Sequence, residues 1–349
     1  MAEKLLLSII IPHYNGKELL ENCLHSLEKA PYPNQQVIVA DNDSTDGSVE
    51  FVQAKFPHVE IRQNAENLGY AGGCNAGMTL ARGKYILFLN NDAMVAPACL
   101  EKLVQRCESD ARIAACQPKI LSRNNPNKFD YAGAAGGLID IFGYPFAKGR
   151  IFDSIEYDTG QYDEGGGIFW ASGTALLTRK SALEAVGYFD EDFFAHMEEI
   201  DLCWRLHLAG YRVAAAPEAV VYHSGAATLR SDSLQKAYLN HRNNLILLLK
   251  NYAMGSLLWV LPLRILFECL TLVFALVKGD FVRLRAVTWA LLYVFTHLPK
   301  ILRKRPLVQK LRKCRDAQVR SLMYRRSIVV DYFVKGIRTV EKLKLNLPS

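Results

Sequence analysis

The chain has 349 residues, half of them hydrophobic, and a formal net charge of +7. That length admits one large domain or two smaller ones with a sizeable core. No segment repeats or is dominated by Gly, Ser, Pro or Gln, which excludes a mainly disordered chain or a repeat array. The charge is uneven: residues 300–326 carry 11 Lys/Arg against one acid, leaving −3 on the rest. A nucleic-acid binder carries its basic charge over the folded body. Here the charge follows a very apolar region, so an anionic membrane surface is the expected partner and nucleic acid is not. The eight cysteines form no Cys-x-x-Cys pair, which argues against zinc and for reduced, buried thiols in a cytoplasmic protein.

In chain order, residues 5–12 predict a buried first strand. The apolar run at 5–11 is short and leads into Pro12-His13-Tyr14-Asn15 instead of a small-residue cleavage site, so it does not read as a signal peptide. Leu19, Leu20, Cys23, Leu24 and Leu27 then recur at helical spacing. Strands at 36–40, 59–62, 85–89 and 113–116 alternate with helices at 48–55, 71–81 and 97–107, the last opened by Pro97. This order predicts an α/β fold: a Rossmann-like, mostly parallel central sheet with helices on both faces, built from right-handed βαβ units. Residues 122–167, rich in Gly, Asn, Asp and Tyr, predict loops and a small subsheet. A strand at 169–178, helices at 180–186 and 198–209, and strands at 211–215 and 219–222 follow.

Beyond Asn240 the character changes. Residues 245–249 and 257–277 are intensely apolar, with Arg264, Glu268 and Thr271 near one helix face. The apolar stretch 286–298 is too short to span a bilayer. A C-terminal helical, membrane-associated region is expected, as an in-plane or re-entrant hairpin. One true crossing by 257–277, or an ordinary soluble helical domain, are the alternatives. The expected division is 1–240, split into a nucleotide-binding half (1–120) and an acceptor half (121–240), followed by 241–349.

Ligands of open α/β sheets bind beyond the carboxyl ends of the strands. Polar clusters fall at those ends: Pro12-His13-Tyr14-Asn15, the run from Asp41 to Ser48, Asn67-Leu68-Gly69-Tyr70, and Asn90-Asn91-Asp92. Any one of them reads as a turn with a helix cap, Asp46 or Ser48 capping the second helix and Gly47 serving a tight turn. Together with FWASGTALLTR, GYFDEDFFAHMEEIDLCWRLHLAGYRV and VVYHSG, in this order over residues 5–250, they resemble the family 2 glycosyltransferases, which have the GT-A fold.

The resemblance implies a nucleotide-diphosphate sugar donor and inversion at the anomeric carbon. It assigns Asp41 to the donor nucleotide, Pro12 and Tyr14 to the base pocket beside Asn15, and Asn67 with Gly69 to close approach of backbone to the nucleotide. Gly72 and Gly73 read either that way or as helix packing. Asp92 is assigned to a divalent cation, Mn²⁺ or Mg²⁺, that offsets charge on the departing diphosphate. The family has Asp-x-Asp where this chain has Asn90-Asn91-Asp92, so the first carboxylate of the pair is missing. Asn90 and Asn91 stay assigned to the donor side. His223 matches a histidine that completes the metal site.

Glu198, Glu199 and Asp201 open a helix. Glu199 stands where the family has Asp and is expected to be the general base, with Asp201 second. A row of acids favoured by the helix dipole is the bland alternative. Arg205 is assigned to the acids or to a phosphate, and Trp204 to core or acceptor platform. Trp170, Ser172 and Gly173 match the segment beside the donor sugar and acceptor, Trp170 either stacking on a sugar or packing in the core.

Residues 8–16 lack Gly-x-Gly-x-x-Gly, which excludes a dinucleotide oxidoreductase. A sugar-nucleotide pyrophosphorylase needs a Gly-rich basic loop after the first strand, absent here. An inactive membrane scaffold is the third reading, against which stand Asp92, His223 and the acidic cluster. The Gln-x-x-Arg-Trp of processive synthases is approached only by Gln309-Lys310-Leu311-Arg312-Lys313. The expectation is therefore a transferase of single sugars, rhamnosyltransferase-like, acting on a lipid-linked glycan of bacterial surface polysaccharide at the cytoplasmic face of the inner membrane.

Overall fold

A computed structural model describes residues 6–225, 233–343 and 345. The first half alternates as expected: β1 (Leu7–His13), α1 (Lys17–Lys29), β2 (Gln35–Asp41), α2 (Ser48–Lys55), β3 (Glu60–Gln63), α3 (Gly69–Met78), β4 (Tyr85–Leu89), β5 (Ala93–Val95), α4 (Cys99–Glu108) and β6 (Ile113–Ser122). A small excursion holds β7 (Gly137–Ile139), β8 (Pro145–Ala147), β9 (Arg150–Ile151) and β10 (Ser154–Ile155), paired in that order as the expected subsheet. The chain returns through β11 (Gly166–Gly167), β12 (Ala175–Arg179), α5 (Lys180–Val186), α6 (Glu198–Leu208) and β13 (Arg212–His223).

The main sheet runs β11-β13-β6-β12-β4-β1-β2-β3, with β5 also on β13. The pairs β3-β2, β2-β1 and β1-β4 are parallel. Beyond β4 the sheet is mixed: β12 lies antiparallel to both β4 and β6, and only β13–β6 is parallel. The chain reaches β12 from the irregular excursion instead of a crossover helix, so the βαβ rule does not fix its direction. The strand expected at 169–178 forms only from Ala175; before it Trp170 makes a lone antiparallel bridge to Gly137, and Ser172 and Gly173 lie in the connection. The two strands expected at 211–215 and 219–222 are one, with a register shift between Ala216 and Val220 around Pro217. The short strand β5 is additional to the expected set.

Both faces of the sheet are covered. Ile10, Ile38 and Phe88 point to one apolar cluster, with α3, α6 and the C-terminal helices; Ile9, Ile11, Val39 and Leu87 point to the other, with α1 and α4. Helix α3 approaches β1 closely because it lacks side chains there. A methyl at Gly77 would sit 2.4 Å from Ile10 Cγ2, and one at Gly73 would sit 2.8 Å from Asn42 Nδ2. Gly73 therefore serves packing. Gly77→Ala should lower stability by about 1–3 kcal/mol, read as a fall in the urea midpoint.

The C-terminal part comprises α7 (Leu234–Asn251), α8 (Met254–Lys278), α9 (Phe281–Thr296), α10 (Leu298–Lys310), α11 (Asp316–Ser321) and α12 (Ile328–Phe333). The division expected at residue 240 falls inside α7, whose Leu245–Leu249 stretch is buried in the main core. Ile301, Val308, Val319 and Met323 return to the same core. Helix α8 is inverted in polarity relative to a soluble helix. Arg264 and Glu268 are fully buried, paired at 2.6 Å, and Glu268 also meets His241. Leu258, Leu266, Leu270, Val273 and Val277 are 53–77% exposed. Among the described residues α8 alone is long and apolar enough to cross a membrane. Gln309, in the near-match to the synthase motif, bonds the carbonyls of Lys250 and Asn251, and Arg312 bonds that of Asn251, so this segment clamps the α7–α8 turn.

Candidate active site

Three loops leave the carboxyl edge of the parallel strands and are tied together. Register places His13 beside Asp41. The Asn15 N–H donates to Ser44 Oγ at 2.9 Å and its Oδ1 accepts from the Thr45 N–H at 2.9 Å. Asp46 Oδ2 accepts from the N–H groups of Gly16 and Lys17 at 2.7 and 2.9 Å, and its Oδ1 accepts from Ser48 N at 3.2 Å. The N-cap of α2 is Gly47, with φ 75°, instead of the expected Asp46 or Ser48; Asp46, one residue outside, ties the entries of α1 and α2 together. Asn15 spends its side-chain oxygen and its backbone N–H in holding these loops together, so it positions the site. Asn91 Nδ2 lies 2.9 Å from His13 Nδ1. Burial outweighs the carboxylates of Asp41 and Asp46 and keeps His13 below the usual histidine value, so it accepts from Asn91.

Asp41 is 2% exposed; Oδ2 accepts from Ser44 N at 3.1 Å and Oδ1 has no partner. Tyr14 is half-exposed and follows His13, the register partner of Asp41, whereas Pro12 is buried under α3 near Gly73. Asn67 Oδ1 accepts from Gly69 N at 2.9 Å. Gly69 has φ 70°, and a methyl there would lie 2.5 Å from the Phe194 carbonyl oxygen. Asn67 and Gly69 therefore shape a turn against the 190–197 loop, and that loop fills the space next to Gly69.

The other half of the site gathers at β13. His223 Nε2 is 3.0 Å from Asp92 Oδ1 and 3.4 Å from Asn90 Nδ2. His223 Nδ1 is 2.9 Å from Asp130 Oδ1, a residue with no sequence signal of its own. All three are buried. Burial lowers the imidazole pKa, but Asp130 and Asp92 outweigh it and raise it to about 10. Two carboxylates thus flank one cationic ring. A metal ion at Nε2 would take the place of the proton there, leaving Asp130 to orient Nδ1, a common surrounding for a metal-bound histidine. Among the described residues no three-ligand cage exists. Asp92 and His223 supply two donors, which fits a cation that completes its shell with donor phosphates and water.

The acids of α6 divide by environment. Asp201 is fully buried, 2.9 Å from Arg205 Nε, 3.1 Å from Lys250 Nζ and 2.8 Å from Asn251 Nδ2. Burial raises its pKa, but Lys250 and Arg205 outweigh that and leave it depressed. It is a structural anion, which corrects its expected place as second base. Arg205 spends its remaining donors on the carbonyls of Val186, Gly187 and Tyr188, so it has no edge for a phosphate. Trp204 is fully buried against Phe169 and Tyr252, and Trp170 donates to the Leu138 carbonyl at 2.7 Å. Both are core, which settles their alternatives against a sugar platform. Ser172 is fixed by Gln117 and the Ala132 carbonyl.

Glu198 and Glu199 differ. Each has an Oε2 shut away from solvent without a partner among the described residues. Burial, then the neighbouring Glu199, pushes Glu198 well above the carboxylate range. Burial raises Glu199 to about 7 against its backbone hydrogen bonds. Phe194, His196 and Met197, just before them, have φ of 63°, 67° and 73°. Such residues cost energy unless the surroundings hold them, and strain of this kind clusters at functional sites. Asn243 of α7 holds them: its Nδ2 contacts the carbonyls of Phe193, Ala195 and His196 at 2.9, 2.9 and 2.7 Å. Tyr70, within electrostatic reach of both glutamates, donates to the Gly173 carbonyl at 2.6 Å. Gly173 is followed by Thr174, whose carbonyl accepts from Asn90 N at 3.0 Å. This chain of contacts joins the acid pair to the Asn90–Asp92 turn. Asn243, His196 and Asp130 carry no sequence signal of their own, beyond the polar Asn243-Asn244 pair just before the apolar run 245–249.

Lys250 also pairs with Asp190, whose pKa the two lysines Lys250 and Lys304 depress against burial. Depressed acids stabilise the fold above their unfolded pKa, about 4, and lose that contribution as pH falls through the folded value. Lys250→Met should therefore cost about 3 kcal/mol at pH 7. The deficit should shrink below pH 4, in urea titrations at both pH values.

Comparison with known proteins adds the following. The Glycosyl transferase family 2 profile matches residues 8–187. An N-acetylglucosaminyl-diphospho-decaprenol L-rhamnosyltransferase of Mycobacterium tuberculosis is 28% identical over 278 residues, 74% of this chain and 88% of the relative. A poly-beta-1,6-N-acetyl-D-glucosamine synthase of Staphylococcus epidermidis is 25% identical over 62% of this chain and 49% of its own length. Among solved structures, the mannosyltransferase PcManGT of Pyrobaculum calidifontis, in complex with GDP-Man and Mn²⁺, superposes with a TM-score of 0.51 at 17% identity, covering 89% and 86% of the two chains. GalNAc-T7 with UDP, GalNAc and Mn²⁺ gives 0.57 at 14% identity over 73% of this chain and about half of its own (49%). These likenesses show the fold.

Proposed function

The chain belongs to glycosyl transferase family 2, and on that premise we propose that it moves a single sugar, with inversion, from a nucleotide-diphosphate donor to a hydroxyl of a lipid-linked glycan. The donor is dTDP-rhamnose or a UDP-sugar. The observation that carries this reading is Glu199: a carboxylate with one shielded oxygen unpaired among the described residues, raised to about 7, just after a strained turn joined to the Asp92 loop. Near pH 7 such a group takes the acceptor proton as the hydroxyl attacks. Asp41 accepts from the nucleotide and Tyr14 stacks on its base. Asp92 and His223 hold a divalent cation, Mn²⁺ better than Mg²⁺ for the imidazole. When bound, the cation offsets charge on the leaving diphosphate.

The Mycobacterium relative acts, by its name, on a lipid-linked diphosphate acceptor. The inverted polarity of α8 supports the same class here. A stripe of exposed leucines and valines backed by a buried Arg264–Glu268 pair suits hydrocarbon outside and polar partners inside. The protein then sits on the cytoplasmic face, its apolar hairpin in the lipid and its basic residues at anionic headgroups. Truncation near residue 250 is no clean test of this, because it removes Ile301, Val308 and Met323 from the core. Leu266→Gln with Leu270→Gln is the cleaner variant. It should cut sedimentation with phosphatidylglycerol vesicles at least tenfold.

The function is tested by incubating the full chain with labelled dTDP-rhamnose or UDP-sugars, Mn²⁺ and a lipid extract. Transfer of label to the lipid phase, abolished by chelator, is the expected result. A protein that binds UDP or dTDP in a thermal-shift assay yet transfers nothing to any extract would return the scaffold reading. Release of a nucleoside triphosphate from donor and pyrophosphate would return the pyrophosphorylase.

A further inference from the structure

Arg150 is only 7% exposed, yet among the described residues no carboxylate pairs with it and its Nε has no hydrogen-bond partner. A buried guanidinium without a counter-charge is costly, so its retention points to an anion that arrives later. Its neighbours say where. The guanidinium carbon lies 4.3 Å from the centre of the Tyr131 ring, and Lys236 Nζ lies 5.4 Å from the same ring. Tyr131 is 45% exposed and follows Asp130, which holds His223 Nδ1. Lys236, also without a carboxylate among the described residues, stands in the first turn of α7 and acts electrostatically on His196, two residues before Glu198.

We propose that Arg150, Tyr131 and Lys236 form a phosphate subsite that takes the diphosphate of the lipid-linked acceptor. The two ring nitrogens of His223 separate two regions. Nε2 faces Asp92, where the donor diphosphate is proposed to lie; Nδ1 faces Asp130 and, through Tyr131, the two cations. Lys236 is also within electrostatic reach of His196, which precedes by two residues the acid pair where the acceptor hydroxyl must meet Glu199. The cations are thus on the acceptor side, set to hold its diphosphate while the sugar hydroxyl meets the base. A stacked guanidinium keeps its N–H edge for bidentate contact with phosphate oxygens. This rests on the lipid-linked acceptor proposed above and gives that acceptor its recognition chemistry.

The test uses the full chain and Arg150→Met, Lys236→Gln and the double variant. Two acceptors are compared: N-acetylglucosaminyl diphosphate on a short prenyl chain, and an octyl glycoside of the same sugar without phosphate. Each single variant should raise KM for the diphosphate acceptor about tenfold to a hundredfold. Donor KM and the rate with the octyl glycoside should stay unchanged. Calorimetry with farnesyl diphosphate in chelator should show binding to the wild type and loss in the double variant, with UDP or dTDP binding retained. This arm needs no turnover, so it stands even if sugar transfer fails with both acceptors, which would count against the proposed reaction alone. Arg150→Met should also melt at or above the wild type, since it removes an unpaired buried charge; a structural arginine would lose stability instead. A rise in donor KM assigns the cations to the leaving diphosphate and overturns the proposal. Equal losses on both acceptors, or a lower melting temperature for Arg150→Met, overturn it as well.

Discussion

Glu199→Gln should lower turnover about a thousandfold while leaving nucleotide binding intact, because the acceptor proton then has no carboxylate to receive it. The wild-type rate should rise with pH through about 7 and level off above it, since the base works only when ionised. The variant's residual rate should lack that inflection. Stability carries a second, opposite sign. An acid whose folded pKa lies above its unfolded value stabilises the protonated fold, and that contribution disappears as pH rises through the folded value. Ionising Glu199 in its shielded site therefore costs the wild type a few kcal/mol above pH 7. Glu199→Gln is spared this cost, so its urea midpoint should exceed the wild type's at pH 8 and match it near pH 4. A variant that is both slow and less stable at pH 8 would mean that the glutamate is structural. A pH-independent wild-type rate would move the base elsewhere.

The local signals were the reliable ones. The expected strand 85–89 and helix 180–186 coincide with β4 and α5 because each is a compact apolar pattern bounded by turn residues. Strand β6 runs on to Ser122, past Gln117, Pro118 and Lys119, which interrupt its apolar run. Its continuation is dictated by β13, a hundred residues away. Residues 169–173 are apolar or small and buried, but burial alone did not make them strand. Within the candidate site, the motifs named loops that the fold gathers at one sheet edge, without saying which partners each side chain takes. Asp201 and Glu198 lie three apart in one helix turn, yet Lys250 and Asn251 claim the first, and among the described residues the buried Oε2 of the second has no partner. Those partners sit on α7, in a stretch whose hydropathy reads as the start of a membrane region. Arg150 and Asp130 were silent for the same reason: their meaning lies in what surrounds them in space.

Asp92→Ala addresses the opposite end of the reaction. Removing this carboxylate takes away half of the two-donor set with His223 and should cut turnover about a hundredfold to a thousandfold. Part of that loss should return at high Mn²⁺, because His223 and the donor phosphates remain, so the Mn²⁺ concentration for half-maximal rate should rise. The fold survives with a predictable deficit. A histidine raised to about 10 stabilises the fold fully below its unfolded pKa of about 6.5 and loses that contribution as pH climbs through the folded value. Asp130 still holds the ring, so loss of Asp92 should cost about 1–2 kcal/mol at pH 6 and little above pH 10. Asn90→Asp is the converse experiment. Asn90 Nδ2 already lies 3.4 Å from His223 Nε2, so a carboxylate there adds the anion that the family motif has and this chain lacks. It should lower the Mn²⁺ requirement of the wild type and partly restore Asp92→Ala. If neither substitution shifts the Mn²⁺ dependence, the pair is a structural ion pair and the charge on the leaving group is met by other residues.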